Sequence, residues 1–354
     1  VSTIFVQGTP MAQAVGPLAA ADGKVLVSTA LNGDLAAPSP IEHDVGVPTL
    51  NGSFVLGTVP TQKRSPGYPF LFMSGTDYTT SARVAMDIAW KRGAKRIGFF
   101  SCTTSAYCTD PVDGAKSFLP LLGGIEPGRD LAIELTDDDA TIDKKVEDYF
   151  RAELDQQKKD PTYQRVDWIW FGNTRTTLAR LGRSIAKAAT LLALDPKPTV
   201  LSDNYGLDEL LFGECGDACT GMLGVQPLPA FGDPTAAGMA RLVSVHDQQR
   251  QTDGEPQSDY ATVSYVYGYV AAASFRVAAE DLVDAGRPIT GANLRDAFEH
   301  FEQRAIDDLA TITYTPNDHR PQSSARLYQL DGTGKLVLVG QPISISLQPE
   351  WLGY

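Results

Sequence analysis

From Thr3 to Val225 the sequence alternates short runs of branched and aromatic residues with longer runs of helical periodicity. Strands are expected at 3–6, 25–28, 70–73, 96–100, 131–135, 166–171, 199–201 and 222–225, each bounded by Gly, Pro or Asp. Helices are expected between them at 11–21, 80–92, 112–122, 142–157 and 176–192. Strands separated by helices point to α/β architecture, with parallel sheets covered on both faces. Residues 80–92 show the local reasoning: Val84 and Ile88, or Ala85 and Ala89, repeat at helical spacing, Asp77 or Thr79/Thr80 can cap the start, and Gly93 stops the helix.

Beyond Val225 the character changes. The proline-rich segment 226–234 breaks the alternation, and helices are expected at 235–248, 260–285 and 291–303. A hairpin of 325–330 and 335–339 follows, turning through Asp331-Gly-Thr-Gly334. Residues 36–67 stand apart, rich in Pro, Gly, Ser and Thr with one expected strand at 53–59. A stretch of that kind reads as a lid, a partner-contact loop or an insertion.

At 354 residues, the length fits two α/β domains of ordinary size. Thirty basic against 43 acidic side chains give a net charge of −13, which disfavours nucleic acid and anionic lipid as partners. The longest apolar runs fall far short of the roughly 18 residues that span a bilayer, so no transmembrane helix is expected. The chain opens with Val1 inside an apolar run, and something upstream is expected to have been removed. The cysteines form two local pairs, Cys102/Cys108 and Cys215/Cys219, in loop-like surroundings. Two local disulfides in an oxidising compartment are the preferred reading, with free thiols or a metal site as alternatives.

The catalytic inventory is thin. Neither a Gly-x-Gly-x-x-Gly after a strand nor a Gly-x-Ser-x-Gly elbow is present. Gly332-Thr-Gly-Lys335 lacks the first glycine of a phosphate loop and precedes a strand, so it reads as a turn. His43-Asp44 and His246-Asp247 are neighbours whose side chains diverge, and both pairs read as surface. Asp137-Asp-Asp139 sits where carboxylates favour the start of the following helix. No metal and no cofactor is expected.

Several segments taken in order carry a resemblance. They are Gly8-Thr-Pro-Met11, Gly23-Lys-Val-Leu-Val-Ser28, Gly93-Ala-Lys-Arg-Ile-Gly-Phe-Phe100, Tyr265-Val-Tyr-Gly-Tyr-Val-Ala-Ala-Ala273, Asn293-Leu-Arg-Asp-Ala-Phe298 and Asp318-His-Arg320. Together they resemble the leucine-binding-protein family, the type I periplasmic solute-binding proteins of branched-chain amino-acid ABC importers. The resemblance spans nearly the whole chain. It implies two doubly wound parallel-sheet lobes joined by three hinge crossovers near Ser74, Pro227 and Tyr314. Lobe one would comprise 1–74 and 228–313, and lobe two 75–227 and 314–354. The family's opening β-α-β-α unit has no counterpart here.

The resemblance also implies a site, in a cleft that closes on a small ligand. Lobe one would offer Gln7, Gly8, Thr9, Pro10 and Met11 after the first strand, and Ala30, Leu31 and Asn32 after the second. Thr9 also reads as the N-cap of its helix. Lobe two would offer Tyr107 (or Pro111), Asn173, Thr174, Asn204 and Tyr205, with Phe231 at a crossover. The family pairs an acidic residue after the strand at 199–201 with the ligand ammonium. Here Asn204 or Tyr205 falls at that place, and Asp203 takes the role only with a shift of one residue. Without it, the ligand is a carboxylate or a neutral compound with an apolar or aromatic tail. The implied function is that of an extracytoplasmic, non-catalytic solute-binding protein, periplasmic or secreted, free or lipid-anchored. Its partners would be a small ligand and a membrane permease, and the protein would be a monomer. A sensor or receptor module of the same fold is the alternative, and an enzyme the third.

Overall fold

The computed structural model describes residues 2–43, 47–48, 54–55, 63–321, 324–345 and 347. The first elements are β1 (Thr3–Val6), α1 (Thr9–Ala21), β2 (Val25–Ser28), β3 (Leu71–Met73) and α2 (Tyr78–Lys91). Next come β4 (Arg96–Ser101), α3 (Ala106–Leu122), β5 (Glu126–Ala132), α4 (Asp139–Lys159), β6 (Trp168–Gly172) and α5 (Arg175–Leu192). The middle of the chain continues with β7 (Thr199–Ser202), α6 (Leu211–Cys215) and β8 (Leu223–Gln226). Helices α7 (Met239–Asp253), α8 (Val263–Asp284) and α9 (Gly291–Glu299) follow. Last are β9 (Arg304–Ile306), β10 (Ala310–Ile312), β11 (Ser324–Leu330), β12 (Leu336–Leu338) and β13 (Ile343–Ser344).

The chain divides into two compact units. Unit 1 comprises Val1–Thr80, Pro227–Arg326 and Pro342–Tyr354, and unit 2 comprises Ser81–Gln226 and Leu327–Gln341. The first crossing thus lies within α2, the third within β11 and the last after β12, so 314–326 and 342–354 group with unit 1 and not with the second lobe expected from sequence.

In unit 1, β1, β2 and β3 form a parallel sheet in that order, with Val6 beside Ser28 and Ser28 beside Met73. Every residue of β2 and β3 is buried, as expected of strands covered on both faces, whereas Phe5 of β1 is half exposed. An aromatic cluster anchors β3: Phe72 stacks on Phe298 and on the buried His319 at ring separations of 4.8 and 4.0 Å. The Asp318-His-Arg320 segment therefore packs inside the unit. Arg320 is buried, bonded to Asp318 at 2.8 Å and to the buried Asp77 at 3.3 Å. Asp77 also caps α2, accepting from the Thr80 backbone N–H at 2.9 Å.

Unit 2 carries a sheet of order β12-β11-β8-β7-β6-β4-β5, with β5, β4, β6, β7 and β8 parallel. Strand β6, Trp168-Ile-Trp-Phe-Gly172, is buried throughout. Gly93 ends the turn after α2 at φ +87°, a conformation in which glycine carries no Cβ penalty. Asp138 caps α4, accepting from Thr141 N–H at 2.8 Å. Asp331 accepts from the backbone of Thr333 and Lys335, so Gly332–Lys335 is a hairpin turn.

Several expectations are corrected. Strand β5 lies at Glu126–Ala132 rather than 131–135. Thr9 is not an N-cap: Gly8 occupies that position and Thr9 is the first helical residue. His246 is buried, not at the surface, with Nδ1 3.0 Å from Asp247 Oδ1 and Nε2 2.9 Å from the Asp259 carbonyl. Sequence neighbours meet here because the imidazole is held from both sides. The helix expected at 291–303 ends at Glu299, with His300 as its C-cap, and the β9–β10 hairpin starts only at Arg304. Within 36–67, Glu42–His43 pairs with Lys63–Arg64 and Val47–Pro48 with Phe54–Val55. The remainder of the strand expected at 53–59, and Asp44 of the His43-Asp44 pair, lie outside the described residues.

Candidate functional site

Parallel strands present their carboxyl ends along one edge of a sheet, where the following loops and helix N-termini gather polar groups. In unit 2 the register sets Ser101 beside Gly172, Phe171 beside Ser202, and Ser202 beside Gly224. The residues following β4, β6, β7 and β8 therefore share one edge.

Asn173, fully buried after β6, is a hub. Its amide donates to the Ile133 carbonyl at 2.8 Å, and its Oδ1 accepts from the Tyr107 hydroxyl at 3.1 Å and from Thr174 N–H at 2.8 Å. Tyr107 lies in the first turn of α3 rather than in a loop. Its phenol is pushed up to about 12, first by burial and then by the charges of Asp203 and Glu134, so it is neutral and able to donate. Thr174 is the N-cap position of α5, and its hydroxyl bonds Thr177 at 3.1 Å. Next to it, Arg175 bonds Asp208 and Glu214, both at 2.7 Å, and ties down the segment after β7.

The end of β7 is chemically unfinished. Asp203 turns one oxygen back on the chain: Oδ1 accepts from Tyr205 and Gly206 N–H, both at 3.1 Å. Among the described residues its Oδ2 has no partner, and neither have Ser202 Oγ, Asn204 Oδ1 or Gln226 Oε1, although all four residues are buried. The Gln226 amide is fixed by donation to the carbonyls of Asn204 and Leu207, which leaves its oxygen as the open atom. Buried polar atoms are nearly always bonded, and each exception costs about 1–3 kcal/mol. Burial pushes the Asp203 carboxyl up to about 7, against the lowering effect of its two backbone hydrogen bonds. Three open acceptor oxygens at the ends of the neighbouring strands β7 and β8 are matched by a ligand group rich in N–H or O–H donors.

In unit 1 the corresponding edge carries hydroxyls. Thr9 Oγ1 at the start of α1, Ser74 Oγ after β3 and Thr79 Oγ1 in the first turn of α2 are buried without partners among the described residues. After β2, Ala30, Leu31 and Asn32 are fully buried. Ala30 N–H donates to Ser28 Oγ at 3.0 Å, and the Leu31 carbonyl accepts from Tyr78 N–H at 2.8 Å. Gln7 and Pro10 are exposed, Gly8 is partly exposed, and Met11 is 62% exposed on α1. Phe231 packs edge-on against His246 and Tyr265, with ring centroids 4.9 and 6.2 Å away.

Ser74, Thr79, Ser202, Gln226 and Arg175 were not among the residues expected from sequence. Their signal was available: each ends a strand, follows one, or opens a helix. The two cysteine pairs form disulfides, Cys102–Cys108 and Cys215–Cys219.

No family model and no curated protein matches the sequence. Solved structures do. A substrate-binding protein of an ABC transporter from Aeropyrum pernix aligns over 100% of this chain and 79% of its own, with 20% identity and a TM-score of 0.74. A branched-chain amino-acid ABC transporter protein from Thermus thermophilus, with bound valine, aligns over 98% of this chain and 79% of its own, with 16% identity and a TM-score of 0.72. A solute-binding protein from R. palustris, in complex with benzoate, aligns over 100% and 81%, with 16% identity and a TM-score of 0.68. The fold is that of the type I periplasmic binding proteins, with α/β units and predominantly parallel sheets.

Proposed function

We propose that this protein is the solute-binding component of an ABC importer, taking a small organic ligand at its open strand-end groups and delivering it to a membrane permease. The fold supports this reading across the chain's length, and the observation that carries it is the set of buried, unpartnered polar atoms at the strand ends. The two sets are chemically distinct. Hydroxyls at helix starts in unit 1 suit a carboxylate, whereas Asp203, Asn204 and Gln226 in unit 2 present acceptors to an ammonium. Asp203 thus supplies the acidic group that Asn204 cannot, which favours an amino acid or a related amine-bearing acid over an aromatic acid. Two disulfides fit an oxidising, extracytoplasmic setting. Binding without turnover is the proposed activity.

The test is mass spectrometry of small molecules released on denaturing the purified protein, with thermal shifts against amino acids, aromatic acids and amides. An amino acid is expected to raise the melting temperature in a concentration-dependent way, and its deaminated analogue is not. Recovery of a chemically altered ligand, or stabilisation by benzoate alone, refutes the reading.

A further inference from the structure

Unit 1 contains a second candidate site. A cavity of ≈ 480 Å³, within the size range of small-molecule sites, is lined by none of the strand-end residues described above. Its wall carries one cation and one anion, Arg326 from β11 and Asp308 from the turn between β9 and β10. Among the described residues neither side chain makes a hydrogen bond or an ion pair, and Arg326 Nε is shut off from solvent without an acceptor. The neighbouring Asp307 behaves differently, being held by Arg276 at 2.9 Å and by the Tyr269 hydroxyl at 2.9 Å. The turn places Asp308 at φ +56°, in the left-handed region that non-glycine residues enter sparingly. Thr311 and Ser344 add hydroxyls to the wall, and Leu309 and Ile345 add apolar surface.

In a chain where acids outnumber bases 43 to 30, a half-buried arginine with no carboxylate partner among the described residues is an unmet requirement. An aspartate in the same wall that does not close the pair leaves opposite charges facing a ligand-sized space. We propose that this cavity is a second small-molecule site, selective for a zwitterion whose carboxylate pairs with Arg326 and whose ammonium pairs with Asp308. Guanidinium and carboxylate bond in a two-pronged geometry, so Arg326 is the stronger anchor and Asp308 sets selectivity.

The experiment is titration calorimetry with glycine, γ-aminobutyrate and 6-aminohexanoate, three zwitterions of increasing charge separation. It is run in the Asp203→Asn background, so that binding at the end of β7 does not contribute. At least one probe is expected to bind with a Kd of about 1 mM or tighter. Arg326→Gln and Asp308→Asn are each expected to weaken that binding by about tenfold or more. Circular dichroism establishes that each variant is folded, and Asp308→Asn, at an exposed turn, guards against a misfolded arginine variant. The proposal is overturned if no probe binds at about 10 mM, if a folded Arg326→Gln variant retains full affinity, or if butyrate binds as tightly as γ-aminobutyrate.

Discussion

Replacing Asp203 with asparagine probes both stability and binding through one group. Its carboxyl stands at about 7 in the folded protein against 3.8 ordinarily, with burial as the main cause. Between those values the folded chain holds a proton that the unfolded chain has released. The folded state therefore binds more protons, and stability falls as pH rises through this window. The difference corresponds to roughly 4 kcal/mol at full extent, present below about pH 4 and lost by about pH 7. Urea unfolding of wild type and Asp203→Asn across that range is expected to show the wild type losing several kcal/mol relative to the variant as pH rises. A gap between the two that does not change with pH refutes the reasoning. Ligand binding offers a second reading of the same proton. An ammonium beside Oδ2 favours the carboxylate, so binding at pH 6 is expected to release about 0.9 proton, the fraction protonated there. Calorimetry in buffers of different ionisation enthalpy measures it directly. No proton release by an amine-bearing ligand means that the ammonium is held elsewhere.

Other perturbations test the framework around the site. Arg320→Ala strips the buried Asp77 of its guanidinium partner and is expected to cost about 3–5 kcal/mol by denaturant unfolding. A thiol assay on unfolded, unreduced protein is expected to find no free cysteine, and losing either short disulfide loop is expected to cost about 2 kcal/mol of unfolding free energy. A Cβ at Gly291, the first residue of α9, collides with the Gly23 carbonyl oxygen, so Gly291→Ala is expected to lower the melting temperature whereas the same change at the open Gly213 has little effect.

The architecture was legible where the local chemistry acts alone. Strands β2 and β6 are continuous apolar runs because both faces are covered, and Asp77 and Asp138 mark helix starts by type and spacing. Strand β5 was misplaced for the same physical reason in reverse. It lies at the edge of the unit 2 sheet, pairs with β4 and faces solvent along much of its length, so its sequence is less apolar than the neighbouring 131–135. The burial of His246 depends on the Asp259 carbonyl arriving from outside its helix, which no helical periodicity reports.

The candidate site follows the same division. Sequence offered Asp203, Asn204 and Tyr205 as alternatives one position apart. What separates them is that β7 ends at Ser202 and the next residue spends one carboxylate oxygen on its own turn, keeping the other free. Residue type tells which groups can bond, but only packing tells which are left unsatisfied. Thr9 illustrates the point from the other side. As an N-cap its hydroxyl would have been consumed by the helix, but with Gly8 taking that position it is buried and open. A strand-end polar residue is thus a binding candidate to the extent that the backbone around it has already met its own needs without it.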